Sequence, residues 1–147
     1  MEVDTVALFD FFRNLSFFRG RNTDGIVADD LDFEKWAKAH SDWRGRLIAY
    51  ISGTGSETLN EQVVCRDDRC ALGQWIYDHG GRYYGDLPVF QQLKGHHADF
   101  HVSAGIVVTL FKKAGPKAAK KALHEEFDLN SMRVIRGLDA LEKQVKG

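Results

Sequence analysis

The residues that could do chemistry in this chain are few and oddly placed. The stretch CALGQWIYDHGGRYYGDLPVFQQLKGHHADFH, Cys70 to His101, opens on a thiol and closes on a cluster of imidazoles. His97 and His101 stand four apart, stacked on one face if the segment is helical. His40 lies upstream, in register with Trp36, Trp43 and Leu47. A buried imidazole must satisfy both ring nitrogens. A lone core histidine does so with a carbonyl or a hydroxyl, and that reading stays open for each of the three. A metal is the other reading. Zinc takes four ligands, tetrahedrally, from Cys and His. The HxxxH pair supplies two nitrogens, His40 a third, and Cys70 a thiolate. His96 is the rival of His97, but its i, i+5 pairing with His101 is poorer on one helical face. His79 and His124 read as residues of solvated faces.

These side chains need helices to position them. Proline occurs only at Pro88 and Pro116, which leaves room for long ones. DFEKWAKAHSDWRGRLIAYI carries Phe33, Trp36, His40, Trp43, Leu47 and Tyr50 at steps of three and four, one apolar stripe. SGTGSETLN reads as a loop. Cys70 to His79 reads as a shorter helix with Leu72, Trp75 and Ile76 inward, stopped by Gly80–Gly81. A third helix starts near Asp86 or Leu87 with Pro88 in its first turn. Its stripe is Phe90, Leu93, His97, Phe100, Ala104, Val107 and Phe111, and Gly115–Pro116 ends it. A last helix from about Lys117 presents Leu123, Phe127, Val134, Leu138, Leu141 and Val145. Residues 1–30 read as an N-terminal helical extension. Its stretch LFDFFRNLSFF, Leu8 to Phe18, would join the core or offer a surface to a second subunit or signalling partner. The fold class is therefore all-α: an antiparallel bundle of about four to five helices over residues 31–147, with the candidate site between helices.

Composition narrows the function. A formal net charge of −1 gives no broad basic face for nucleic acid. No apolar run approaches the ~20 residues that span a bilayer. The start MEVDTVALFDFFRN lacks the basic-then-apolar order of a secretion signal. Two cysteines, Cys65 and Cys70, make no disulfide scaffold, so reduced thiols and a cytoplasmic location are expected.

Three elements then occur in order: HSDW (His40–Trp43), CALGQW (Cys70–Trp75) and HADFH (His97–His101). Together they closely resemble the chemoreceptor zinc-binding (CZB) domain family, over about Asp32 to Phe111. The resemblance implies a bacterial cytoplasmic sensory domain with a zinc ion on His40, Cys70, His97 and His101. Trp43, Leu72, Gly73 and Trp75 match the family's framework around the ion. It further implies a homodimer of helical bundles, acting in chemoreceptor or diguanylate cyclase pathways, with zinc or oxidants such as hypochlorous acid as the signal. No receptor stalk or cyclase domain accompanies the motif here. The alternative is a helical protein–protein interaction module in which zinc is only structural.

Catalysis is not expected. Four protein ligands close a zinc site, whereas catalytic zinc keeps a position for water. HExxH is absent, Glu-x-x-His is absent, and SGTGSET lacks the lysine of a phosphate-binding loop. Neither catalytic residues nor an organic cofactor are expected. The chemistry anticipated is at Cys70, where a metal-held thiolate is the form that oxidants attack.

Overall fold

The computed structural model describes residues 31–147, and among these every regular element is helical. The expectation for residues 1–30 lies outside the described residues.

Helix α1, Phe33–Ser52, begins where the Asp32 side chain accepts the Lys35 N–H. It ends at Gly53, whose φ of 73° turns the chain left-handed. Its buried face is Phe33, Trp36, His40, Leu47 and Ile51, while Trp43 and Tyr50 are only half-buried. The loop that follows is not idle, because Leu59 is fully buried. It leads into α2, Glu61–Val64, a single turn capped by the Asn60 side chain on the Gln62 N–H. The sequence pattern gave no sign of α2, since one turn is too short to show a period.

Helix α3, Ala71–Trp75, takes Cys70 as its N-cap. It does not stop at the Gly80–Gly81 pair. It widens into a π-helical turn, Ile76–Gly80, and runs on into α4, Gly81–Tyr84. A glycine ends a helix by going left-handed, and both glycines here keep right-handed φ near −60° (−61° and −62°). Gly80 serves packing instead: a Cβ there would lie 2.7 Å from the Trp75 indole.

Helix α5, Pro88–Ala114, is the longest and carries His97 and His101. Pro88 opens it and Gly115, at φ 90°, closes it. Pro116 then starts α6, Pro116–Ala122, which passes through a second π turn, Leu123–Phe127, into α7, Asp128–Lys146. The Asn130 amide donates to the Asp99 carbonyl, and Gly137 lies against Leu93. These pairs sit at matching distances on either side of Gly115, which is the register of an antiparallel hairpin. The α1 helix lies across it, tied by the Arg44–Asp128 ion pair at 2.9 Å.

α5 is buried on two sides. One stripe, Phe90, Leu93, His97, Phe100, Ala104 and Val107, faces the bundle core, and His101, Gly105 and Val108 add a second. Below the histidines, Phe33, Trp36, Trp75 and Phe90 form an aromatic stack with centroid spacings of 4.9 to 6.3 Å. Each such pair contributes on the order of 1 kcal/mol beyond its buried area. The stack joins α1, α3 and α5, the three helices that carry the candidate site.

Candidate metal centre

His40, Cys70, His97 and His101 meet between α1, the start of α3 and α5, with their ligating atoms all within 4.8 Å of one another. The three histidines are buried, and Cys70 is half-buried with its sulfur facing them. His97 is fully enclosed, while His96 is half-exposed and outside the group. Neither His79 nor His124 takes part. His79 is half-buried rather than solvated, its ring 4.7 Å from Tyr83. His124 is exposed beside Arg44 and Asp128.

The spacing of these atoms tests whether a metal fits. The Nε2 of His97 lies 3.1 Å from His40 Nε2 and 3.2 Å from His101 Nε2. The Cys70 sulfur lies 3.2, 3.6 and 3.8 Å from the Nε2 atoms of His97, His101 and His40. Zinc bonds of about 2.0–2.1 Å to nitrogen and about 2.3 Å to sulfur give tetrahedral edges of about 3.3 Å between nitrogens and about 3.5 Å from sulfur to nitrogen. Five of the six edges agree with these to within a few tenths of an ångström, and the sixth, between His40 and His101, lies within 4.8 Å.

Proton bookkeeping points the same way. His40 Nδ1 is 2.7 Å from the Trp36 carbonyl, and His101 Nδ1 is 3.0 Å from the Val64 carbonyl. A carbonyl only accepts, so both Nδ1 atoms carry the proton and both Nε2 atoms present lone pairs. Those lone pairs, the sulfur and His97 Nε2 all point at one spot. A single proton on His97 Nε2 cannot serve every neighbour, whereas one cation serves all four. The two carbonyls also fix their imidazoles in the ligating orientation.

Burial sets the charge of the cluster. It lowers His40 to about 4, helped by His101 and opposed by the Trp36 carbonyl. Burial lowers His97 well below the ordinary histidine value, with His101 and His40 adding to the effect. It lowers His101 too, against the pull of the Val64 carbonyl, Asp67 and Asp68. The Cys70 thiol moves oppositely. The Gly73 and Leu72 N–H groups at the helix start act to lower it, but burial outweighs them and pushes it up to about 12. The protein alone therefore holds neutral imidazoles and a neutral thiol, and only a cation makes the thiolate favourable there.

Local sequence explains how Cys70 arrives at this point. The turn from Cys65 to Cys70 folds back so closely that a Cβ on Gly73 would lie 1.6 Å from the Asp67 carbonyl oxygen. Gly73 therefore accommodates a turn laid across its own helix. Cys65 is half-buried, its thiol 3.5 Å from the Gln62 carbonyl. Its Cβ is seated on Gly105, where an added Cβ would come within 2.8 Å. This packs α2 and the turn onto α5 one helical turn beyond His101. The Trp36 and Val64 carbonyls escaped sequence reasoning because backbone atoms have no residue-type signature. The i−4 position of Trp36 relative to His40 was the one available clue.

Residues 40–108 match the family model described as the chemoreceptor zinc-binding domain, a span that includes all four clustered side chains. No curated protein and no solved structure matches the chain.

Proposed function

We propose, from the premise that residues 40–108 are a chemoreceptor zinc-binding domain, that this chain holds one zinc ion on His40, Cys70, His97 and His101 and serves as a sensory or regulatory module in bacterial signalling. The observation that carries the reading is the convergence of three Nε2 atoms and one sulfur, five of whose six separations match the edges of a zinc tetrahedron. Zinc, when bound, supplies the positive charge that keeps the Cys70 sulfur in its thiolate form.

The chain's own groups do the rest. The Trp36 and Val64 carbonyls hold His40 and His101 with Nε2 forward. Cys70 sits at a helix start, where its sulfur also accepts the Gly73 N–H at 3.4 Å. Four ligands leave no position for a reacting water, so the site is a binding and sensing centre rather than a catalytic one. The signal is zinc itself or an oxidant. With hypochlorous acid, two electrons leave the Cys70 sulfur, chloride departs, and the hydrolysed product is a sulfenic acid. A sulfenate is a weaker donor than a thiolate, so the start of α3 loses its hold on the three imidazoles. The working form is a cytoplasmic homodimer that passes this change to a chemoreceptor or cyclase pathway. No described helix is long and apolar enough to cross a membrane.

Elemental analysis of purified protein tests the centre: about one zinc per chain is expected. A His97→Ala, His101→Ala double variant that keeps its zinc overturns it. Competition with a chelator separates a sensor from a structural staple. A sensor exchanges its metal, or loses it on oxidation of Cys70, while the fold persists; a staple keeps zinc until the bundle unfolds.

A further inference from the structure

We propose that Tyr77, outside the four-residue centre, is a positioning residue that holds the Cys70 sulfur against the histidines, and that it acts through a hydrogen bond to Asp67. The inference rests on the zinc reading above and concerns which side chains set the lifetime of the metal on the protein.

Tyr77 is a large aromatic residue with half of its surface exposed (51%), so its conformation is not explained by core packing. Two contacts hold it, one to the turn before Cys70 and one to α5. The phenol O–H donates to Asp67 Oδ2 at 2.5 Å. The Lys94 ammonium lies 5.2 Å over the ring, within cation–π range. Asp67 belongs to the turn that delivers Cys70, three residues on. Lys94 belongs to α5, three residues before His97 and so on the adjoining turn of that helix. One side chain thereby touches both the element carrying the sulfur and the element carrying the nearest nitrogen, 3.2 Å from that sulfur.

The turn has reason to need a tie. Its Asp67 carbonyl lies against Gly73 at a distance that no side chain would permit. The Arg66–Asp68 ion pair at 2.8 Å is internal to the turn and does not tie it to α3. The Asp67–Tyr77 bond ties the turn, side chain to side chain, to the helical run that Cys70 caps. Tyr77 sits within the π turn Ile76–Gly80. A π turn inserts an extra residue and so shifts the direction in which the following side chains point. The reading gives that local irregularity a purpose: it aims the phenol at Asp67. The Tyr77→Phe variant leaves the Asp67 carboxylate in place and removes only the bond.

The test uses the full chain loaded with cobalt(II), which reports thiolate ligation through its sulfur-to-metal charge-transfer absorption. Tyr77→Phe, Asp67→Ala and the double variant are compared with the wild type for that absorption and for the rate of metal transfer to excess chelator. An exposed, charge-assisted hydrogen bond predicts metal loss about three- to tenfold faster in Tyr77→Phe. The thermal midpoint of the metal-free protein should stay unchanged, since the ring and its packing remain. Because the pair acts as one unit, the double variant should lose metal no faster than Asp67→Ala alone. A Tyr77→Phe rate equal to the wild type, or single effects that multiply in the double variant, overturns the positioning role. A wild type that shows no charge-transfer absorption overturns the zinc centre together with it, so the two failures are distinct.

Discussion

Replacing Gly73 by alanine sets two effects of known size against each other. Alanine favours a helix interior over glycine by about 1 kcal/mol, so on propensity alone α3 gains. The added methyl, however, would lie 1.6 Å from the Asp67 carbonyl oxygen and 2.8 Å from its carbon. Ordinary contact begins at 3.4 Å, so the turn must retreat by 3.4 − 1.6 = 1.8 Å. The atom in the way is backbone, not the far end of a flexible side chain. Metal–ligand distances tolerate only about 0.2 Å. A displacement of that size three residues before Cys70 takes the sulfur out of the coordination sphere. The expected result is a protein whose metal-free stability changes little, while its zinc affinity falls at least about 10- to 100-fold, as when a supporting contact of a metal site is lost. Chelator competition measures the affinity, and the cobalt(II) spectrum should lose its thiolate band. Gly95→Ala is the control. Gly95 is exposed within α5, and an added Cβ meets nothing within 4 Å. That variant should gain about 1 kcal/mol in stability with unaltered metal binding. Zinc affinity within threefold of wild type in Gly73→Ala, with the thiolate band intact, would refute the argument that this glycine places Cys70.

Single changes of His40, Cys70 or His101 to Ala should each weaken zinc binding strongly in a competition assay, whereas His96→Ala, His79→Ala and His124→Ala should leave it near the wild-type value. At pH 7 the imidazoles are already neutral and the Cys70 thiol, pushed up to about 12, is still protonated. Zinc binding should then release about one proton per chain, read from calorimetry in buffers of different ionisation enthalpy; no release, or two or more protons, would contradict these assignments. Acid should also act on the metal-free fold. Burial lowers His40 from the ordinary histidine value of 6.5 to about 4 in the folded chain. Its contribution is therefore complete above about 6.5 and is lost as pH falls through about 4, in total about 3 kcal/mol. Denaturant unfolding of metal-free His40→Gln should show a visibly flatter pH dependence across that window. Light scattering should report about twice 16.6 kDa if the homodimer forms.

Much of the site was legible in the chain because a helix converts spacing into direction. Residues four apart must stack, so His97 and His101 were bound to share a face. His40 had to face inward with Trp36 and Leu47, and proline and glycine marked where α5 begins and ends. The limits of that reasoning lie where spacing stops encoding direction. Gly80–Gly81 looks like a stop by residue type, yet a glycine stops a helix only when it turns left-handed, and the Trp75 ring over Gly80 makes a continuous π turn the better packing. The single turn Glu61–Val64 is too short to carry a period, although its last carbonyl orients His101. For Cys70, local rules favour a lowered pKa at a helix start. Only the tertiary structure shows that three imidazoles and the core exclude water from the sulfur, and desolvation then outweighs the two N–H groups. The sequence by itself determined which residue types stand on which helical faces, because that follows from the backbone period. The tertiary structure decided how close those faces come, and hence that four lone pairs meet at a metal's spacing, because distances between helices are set by side chains that are far apart along the chain.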